Sequence, residues 1–409
     1  MASNAPELIC LEAQNFWKEY ANRPYAAFLK RVGYTPEEQE SHKRFFNEVI
    51  IPRVGPPLGT RSLWTYHGSP FEFSVTLSDK GERFARFTFD PVGGDIGDGV
   101  GPLPKETLAK ILPGLVDATG ADMRWFDQIK EWLFLSRDEI AAVRAEWSAF
   151  NRVPQVFFAI DHHAGDRAIK AYMFPTSKAT ATNQSTVKIV TDNLTHLEPY
   201  GKDLAAPLKE IEEYLGKSLE PLLIDCLAID CIDPKEARVK VYTQAKLNSF
   251  RSLEHVLTYG GKHCDETTLK GLEAIRKIWP LILNEPRMAG DDDFQAPVVD
   301  PESRYKTLSY SWEVRAGQAM PELKIYIHLW LHAKDNHTML GSWEKIFETN
   351  GWEWGASGEY RAMIEDAFGA DYLTADTPVI HTCASIQYTA KKGLQMTTYL
   401  SKPVPGLKS

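Results

Sequence analysis

Cysteine is scarce in this 409-residue chain, and its five residues (Cys10, Cys226, Cys231, Cys264 and Cys383) include no C-x-x-C pair. Such an odd, scattered set argues against a disulfide frame or a zinc site and predicts free structural thiols in a reducing compartment. Basic charge is in deficit as well: 46 Lys and Arg face 55 Asp and Glu, for a net charge of -9. That balance argues against a general nucleic-acid surface, so any anion site has to be local and buried. There is no uncharged apolar run of about 18 residues. The opening MASNAPELICLEAQNFWKEY has no basic segment leading into an apolar stretch. These two absences predict a cytoplasmic protein with no membrane span, and the acidic balance predicts no nucleic-acid partner. The glycine-rich stretch PVGGDIGDGVGP (91–102) lacks the phosphate-loop lysine and the G-x-G-x-x-G spacing, so it reads as a loop. In GDDDF (290–294) three successive aspartates do not converge on one face, which favours a solvated loop over a metal site.

What is present is ordinary globular material, 43% hydrophobic and 25% charged, enough for a sizeable core. Helical spacing of apolar residues appears over 7–32, 35–50, 103–118, 136–149, 204–217, 265–278, 338–349 and 358–370. Paired runs of period two lie between them: 61–77 with 83–90, 154–161 with 166–174, 222–231 with 237–243, 306–315 with 322–330, and 379–389 with 392–400. Five hairpins thus recur at intervals of roughly 70 to 90 residues, each flanked by helices, as an internal structural repeat.

The alternation has a consistent polarity. Lys170 and Tyr172 oppose Ala171 and Met173; Arg238, Lys240 and Tyr242 oppose Val239 and Val241; Lys324, Tyr326 and His328 oppose Leu323, Ile325 and Ile327. Glu72, Ser74 and Thr76 oppose Phe71, Phe73 and Val75, and Gln395, Thr397 and Tyr399 oppose Met396, Thr398 and Leu400. On a one-sided sheet the polar face would meet solvent. A cation followed two residues later by a tyrosine, repeated from hairpin to hairpin, instead favours ten strands closed into a barrel, with helices on the apolar outside and the polar side chains in a lumen.

A lumen holding Arg86, Lys170, Arg238, Lys240 and Lys324 is costly unless an anion sits there, and a diphosphate is a natural candidate. Tyr172, Tyr242, Tyr326 and Tyr399 are either packing residues or electron-rich faces that stabilise a carbocation and keep water from it. Glu72 needs a donor. It is either salt-bridged to a lumen cation or accepts a hydrogen bond from the ring N–H of an aromatic acceptor as that ring is alkylated.

The runs PFEFSVTL, ARFTFDP, KAYMFP, RVKVY, LKIY and LQMTTYLS, in order along residues 10 to 402, resemble the fungal dimethylallyltryptophan synthase family of aromatic prenyltransferases. The resemblance implies an α+β fold: repeated α-β-β-α units forming a ten-stranded antiparallel barrel with helices outside, as a single domain over 1–409 with its core at 7–402. It implies transfer of a dimethylallyl or geranyl group from the allylic diphosphate to an indole or other aromatic acceptor, with no required cofactor and no essential magnesium. Carried over by position, Glu72 binds the acceptor, and Arg86, Lys170, Arg238, Lys240 and Lys324 bind diphosphate. Tyr172, Tyr242, Tyr326 and Tyr399 form the cation shield, and Leu63, Trp64 and Ser309 belong to the acceptor or donor pocket.

Three departures matter. Gln395, also counted with the diphosphate residues, stands where some members place a further tyrosine. Ser309 stands where members specific for the five-carbon donor carry a bulky residue. LLIDCLAID (222–230) has no arginine to grip a free tryptophan carboxylate, which points to a decorated indole acceptor. His162 or His163 is the candidate for removing the ring proton. A phenolic acceptor and a non-catalytic isoprenoid- or polyphosphate-binding barrel remain alternatives, and the protein is expected to be a monomer or homodimer.

Overall fold

The computed structural model describes residues 9–57, 61–91, 104–143, 156–163, 166–374 and 377–407. Its ten strands are β1 (Phe71–Ser78), β2 (Arg83–Phe89), β3 (Val156–His163), β4 (Asp166–Met173), β5 (Leu223–Asp230), β6 (Val239–Ala245), β7 (Leu308–Val314), β8 (Glu322–Ile327), β9 (His381–Thr389) and β10 (Gly393–Leu400). Each pairs antiparallel with its neighbour in the chain, and β1 pairs with β10 to close the barrel. The helices are α1 (Leu11–Val32), α2 (Pro36–Phe45), α3 (Pro104–Thr119), α4 (Arg124–Leu133), α5 (Arg137–Val143), α6 (Pro175–Thr182), α7 (Thr186–Leu194), α8 (Ala205–Leu215), α9 (Phe250–Leu257), α10 (Glu266–Ile282), α11 (Asn336–Asn350), α12 (Glu353–Ala356) and α13 (Glu359–Phe368).

Local chemistry starts and stops these helices. Thr35 and Glu38 form a reciprocal capping box ahead of α2 with Pro36 at its first turn, and Gly33 leaves α1 with a φ of 105°, which favours glycine. The helices absent from the periodicity reading, α4, α6, α7, α9 and α12, are all ten residues or shorter. In α6 and α7, rich in threonine, intrinsic propensity is weak, and burial of Ile189, Val190 and Leu194 is what holds α7.

The barrel separates two interiors. Outside it, Phe71, Phe73 and Val75 of β1 and Ile325 and Ile327 of β8 belong to the large core shared with the helices; Trp17 and Tyr25 of α1 pack their rings on Phe71 and Phe73. Each such side chain removed from water contributes about 1.5–3 kcal/mol. Inside, Phe157, Ala159, Tyr172, Cys226, Ala228 and Tyr242 form a separate cluster. The polar positions of the alternation are buried too: Glu72 is 5% exposed, Lys170 4% and Lys240 5%. A solvated sheet face would leave them open, so closure decides between the two readings of the alternation.

The even-numbered strands all run the same way, so the step from Lys170 to Tyr172, Lys240 to Tyr242 and Lys324 to Tyr326 points each time toward the same end of the barrel. At that end the first hairpin departs from its sequence reading. Residues 61–70 are turns, closed by Ser62 N–H to Gly68 O and Gly68 N–H to Thr65 O, and β1 begins only at Phe71. The positive φ of Gly68 makes that reversal and brings Leu63 and Trp64 over the barrel end. The aspartates of 290–294 lie in a loop as expected, with Asp292 on Arg276 and Asp293 on Arg251. The glycine-rich stretch 91–102 falls, beyond Pro91, outside the described residues. No helix among the described residues is long and apolar enough to cross a membrane.

Candidate active site

A cavity of about 1060 Å³, including its open mouth, occupies the end of the lumen toward which the tyrosines point. Its wall includes Leu63, Trp64, Glu72, Tyr172, Tyr242, Ser309, Tyr326 and Tyr399, all singled out in the sequence. The four tyrosines make a continuous collar. Ring centroids are 6.2 Å apart for Tyr172 and Tyr242, 5.4 Å for Tyr242 and Tyr326, and 6.1 Å for Tyr326 and Tyr399. Trp64 packs edge-on against Tyr172 at 5.0 Å. Ser309 faces Tyr326 and Gln244 across the ladder and is on the inward side, as counted from the sequence.

Glu72 is buried in the cavity wall and accepts hydrogen bonds from the Trp64 indole N–H at 2.8 Å and the Thr382 hydroxyl at 2.5 Å. Both partners are neutral donors, not a lumen cation. Burial, opposed by these two bonds, pushes its carboxyl up to about 7. The group is therefore poised to change charge near neutrality, and its geometry already accommodates an indole N–H.

The cations do not line this cavity; they sit past the tyrosine collar. Register explains their arrangement: Arg86 lies opposite Asp161, Lys170 opposite Asp230 and Lys240 opposite Glu313, so charge alternates from strand to strand. Asp161 accepts from both Arg86 and Lys170. Arg238 bridges Asp230 at 2.6 Å and Glu313 at 3.0 Å, and Lys240 lies 3.6 Å from Asp230. These three carboxylates were not anticipated, and they correct the expectation that the lumen cations depend on a bound anion for their charge balance. Asp161 and Glu313 are each the lone acidic residue of their strand, and β5 carries Asp230 at its far end from Asp225, so only the register could reveal that each faces a cation.

Five cations nevertheless face three carboxylates. Lys324 has no ion-pair partner among the described residues, and its ammonium lies 5.7 Å from the Tyr326 ring centroid. Burial and the charge of Arg86 lower Lys324 to about 7, and the same two causes bring Lys170 to about 7. Burial alone would raise Asp161, but Arg86 and Lys170 hold it well below the usual carboxylate range. The layer thus retains a surplus of positive potential that a small polyanion would satisfy.

The remaining candidates are distributed as follows. Gln395 faces Ser78 and Gln387 across the ladder and is not in the cavity wall. His162 is on the outer face of β3, its Nε2 2.8 Å from the Tyr25 hydroxyl and its ring against His42 and Phe87. That corrects its candidacy for removing a ring proton, since the sheet lies between it and the lumen. The His163 side chain is outside the described residues. One arginine, Arg304, reaches the cavity wall from the segment before β7, where a reading confined to β5 did not look for it.

The profile of tryptophan dimethylallyltransferases matches residues 13–362 of the chain. This chain belongs to that family. An indole prenyltransferase of Emericella nidulans is 31% identical, with 96% of each chain covered, and an indole diterpene prenyltransferase of Tolypocladium album is 32% identical over 96% of this chain and 94% of its own. The crystal structure of NotF in complex with brevianamide F and DMSPP has the same fold, with a TM-score of 0.79, 20% identity and coverage of 98% of this chain and 97% of its own. Family membership accords with the layered lumen: prenyl transfer has to stabilise a leaving polyanion and a transient carbocation in one enclosed space.

Proposed function

We propose that this protein transfers an isoprenyl group from an allylic diphosphate to an indole-type acceptor. The diphosphate sits on the Arg86, Lys170, Arg238, Lys240 and Lys324 layer; the C–O bond breaks with its electron pair leaving on the diphosphate. The allylic cation is held within the Tyr172, Tyr242, Tyr326 and Tyr399 collar, whose ring faces stabilise it and exclude water. A nucleophilic ring atom of the acceptor forms the new bond, and loss of a ring proton completes the substitution. The observation that carries this reading is Glu72, in the wall of a tyrosine-collared cavity, already accepting an indole N–H from Trp64.

The lumen cations serve as counterions to the leaving group, so no metal is needed, and the reaction is cytoplasmic in a monomer or homodimer. With Ser309 small at the pocket wall, donors longer than five carbons fit, each added buried methylene contributing about 0.8 kcal/mol. The test is turnover of a panel of indoles and phenols with dimethylallyl and geranyl diphosphates in EDTA, read by mass spectrometry. Prenylated indoles and free diphosphate are expected, with geranyl used well and Ser309→Met shifting preference toward the five-carbon donor. An absolute magnesium requirement would overturn the counterion assignment, and binding of donor without any transfer would leave only a carrier.

Lys170 and Lys324 add a pH dependence. Both are lowered to about 7 in the free protein, and a bound diphosphate favours their charged forms, so binding above that pH takes up protons. Affinity for inorganic diphosphate is therefore expected to fall as pH rises from 7 to 9, by up to about one decade per pH unit for each lysine. Calorimetry in buffers of different ionisation enthalpy reads the uptake directly; a flat profile would remove both lysines from the anion site.

A further inference from the structure

One residue of the cavity wall is there against the alternation of its own strand. In β5, Cys226 and Ala228 belong to the lumen cluster while Leu227 and Ile229 belong to the outer core, so strict period two carried back from Cys226 would turn Asp225 outward and Ile224 inward; Ile224 instead belongs to the outer core. The β5–β6 register breaks between Ile224 and Cys226, and Asp225 is the extra residue of that irregularity. A bulge re-aims a side chain, and here Asp225 lines the same cavity as Glu72. Gln244 donates to its Oδ2 at 2.6 Å, and no other hydrogen bond to Asp225 forms among the described residues. Its carboxyl is pushed up by burial, with Gln244 and the charge of Arg304 acting against that shift. A half-buried carboxylate with unused acceptor capacity is costly to leave facing an apolar ligand, and it rewards a donor.

We propose that Asp225 is an acceptor-binding residue that takes a hydrogen bond from an N–H or O–H on the acceptor's side arm, remote from the ring N–H held by Glu72. The cavity then presents two carboxylates to one molecule. The acceptor class that fits is an aromatic with two separated hydrogen-bond donors, an indole bearing an amine, amide or hydroxyl arm, and the site disfavours an arm that ends in a carboxylate beside Asp225. The specificity of the arm, and not the chemistry at the ring, is what the bulge supplies. This inference rests on the prenyl-transfer reading for its turnover assay alone.

The experiment uses the full chain with dimethylallyl diphosphate and indoles that share a two-carbon arm at the same ring position: tryptamine, tryptophol, indole-3-propionate and, as the armless-polarity reference, 3-ethylindole. Ratios of kcat/KM to that of 3-ethylindole, taken within each variant, cancel general losses. In the wild type the tryptamine and tryptophol ratios are expected to exceed that of indole-3-propionate by about tenfold or more, the lower range for one hydrogen bond to a charged group. Asp225→Asn is expected to abolish the preference for the ammonium arm and raise the indole-3-propionate ratio; Gln244→Leu, which leaves the carboxylate in place, is expected to keep the wild-type order. Ratios in Asp225→Asn within twofold of wild type would overturn the assignment. Calorimetry of the same four indoles in the presence of a thiolo analogue of the donor separates the two readings. The predicted binding order without turnover would refute prenyl transfer and retain Asp225, and equal binding of all four would refute Asp225 whatever the enzyme does.

Discussion

Replacing Glu72 by glutamine is expected to lower kcat by about 100-fold, the usual loss when one preorganised electrostatic contact is removed from a transition state. An amide oxygen still accepts the acceptor's ring N–H, so binding of donor and acceptor changes little. What is lost is negative charge, which matters as positive charge develops on the alkylated ring and the N–H becomes more acidic; the contact strengthens on the way to the transition state and so acts on kcat. The pH profile separates this from a packing role. Burial holds Glu72 at about 7, so the carboxylate, which is the active form, is depleted below that pH and full above it. Wild-type kcat should rise through pH 7, and the rise should vanish in Glu72→Gln. A variant of unchanged rate, or one that keeps the rising limb, would take Glu72 out of the mechanism. In the wild type the rising limb runs against the weakening of diphosphate binding at Lys170 and Lys324, so the two profiles together bracket a working range near neutrality.

Asp161→Ala is expected to cost about 3–5 kcal/mol of stability, because it removes the shared counter-ion of Arg86 and Lys170 and leaves buried positive charge uncompensated. Arg86 is 9% exposed and Lys170 4%, so water does not replace the carboxylate well. Inorganic diphosphate should recover part of the loss, raising the urea midpoint of the variant more than that of the wild type, since the anion enters a layer that now lacks one of its own negative charges. The sign with pH is also set. Above pH 7 Lys170 gives up its proton and no longer needs a partner, while Arg86 stays charged, so the loss shrinks at pH 9 and does not vanish. An unaltered midpoint, or one insensitive to diphosphate, would show that the alternating charges are not coupled to the anion site.

How much of this was legible beforehand follows from the range over which each feature is encoded. Period-two alternation is a property of a few adjacent residues, so the ten strands, the apolar outer face and the inward placing of Lys170, Tyr172, Lys240, Tyr242, Lys324 and Tyr326 could be read from the chain, as could Glu72. The short helices α4, α6, α7, α9 and α12 could not, because they are held by packing more than by their own propensity. Residues 61–70 carried an alternation that the chain spends on a turn, closed around Gly68.

The sequence by itself determined which face of each strand is polar and which residue types meet there, because side-chain direction in a strand depends only on odd or even position. Tertiary structure alone decided who sits opposite whom. Asp161, Asp230 and Glu313 became counterions to the lumen cations through register, and Trp64 and Thr382 became the donors to Glu72 through a turn and a distant strand. Asp225 entered the cavity because one irregularity in β5 reversed the parity that the chain would otherwise obey. Register and bulges are set by the closure of the whole barrel, which is a sum over ten strands and is written in no one of them.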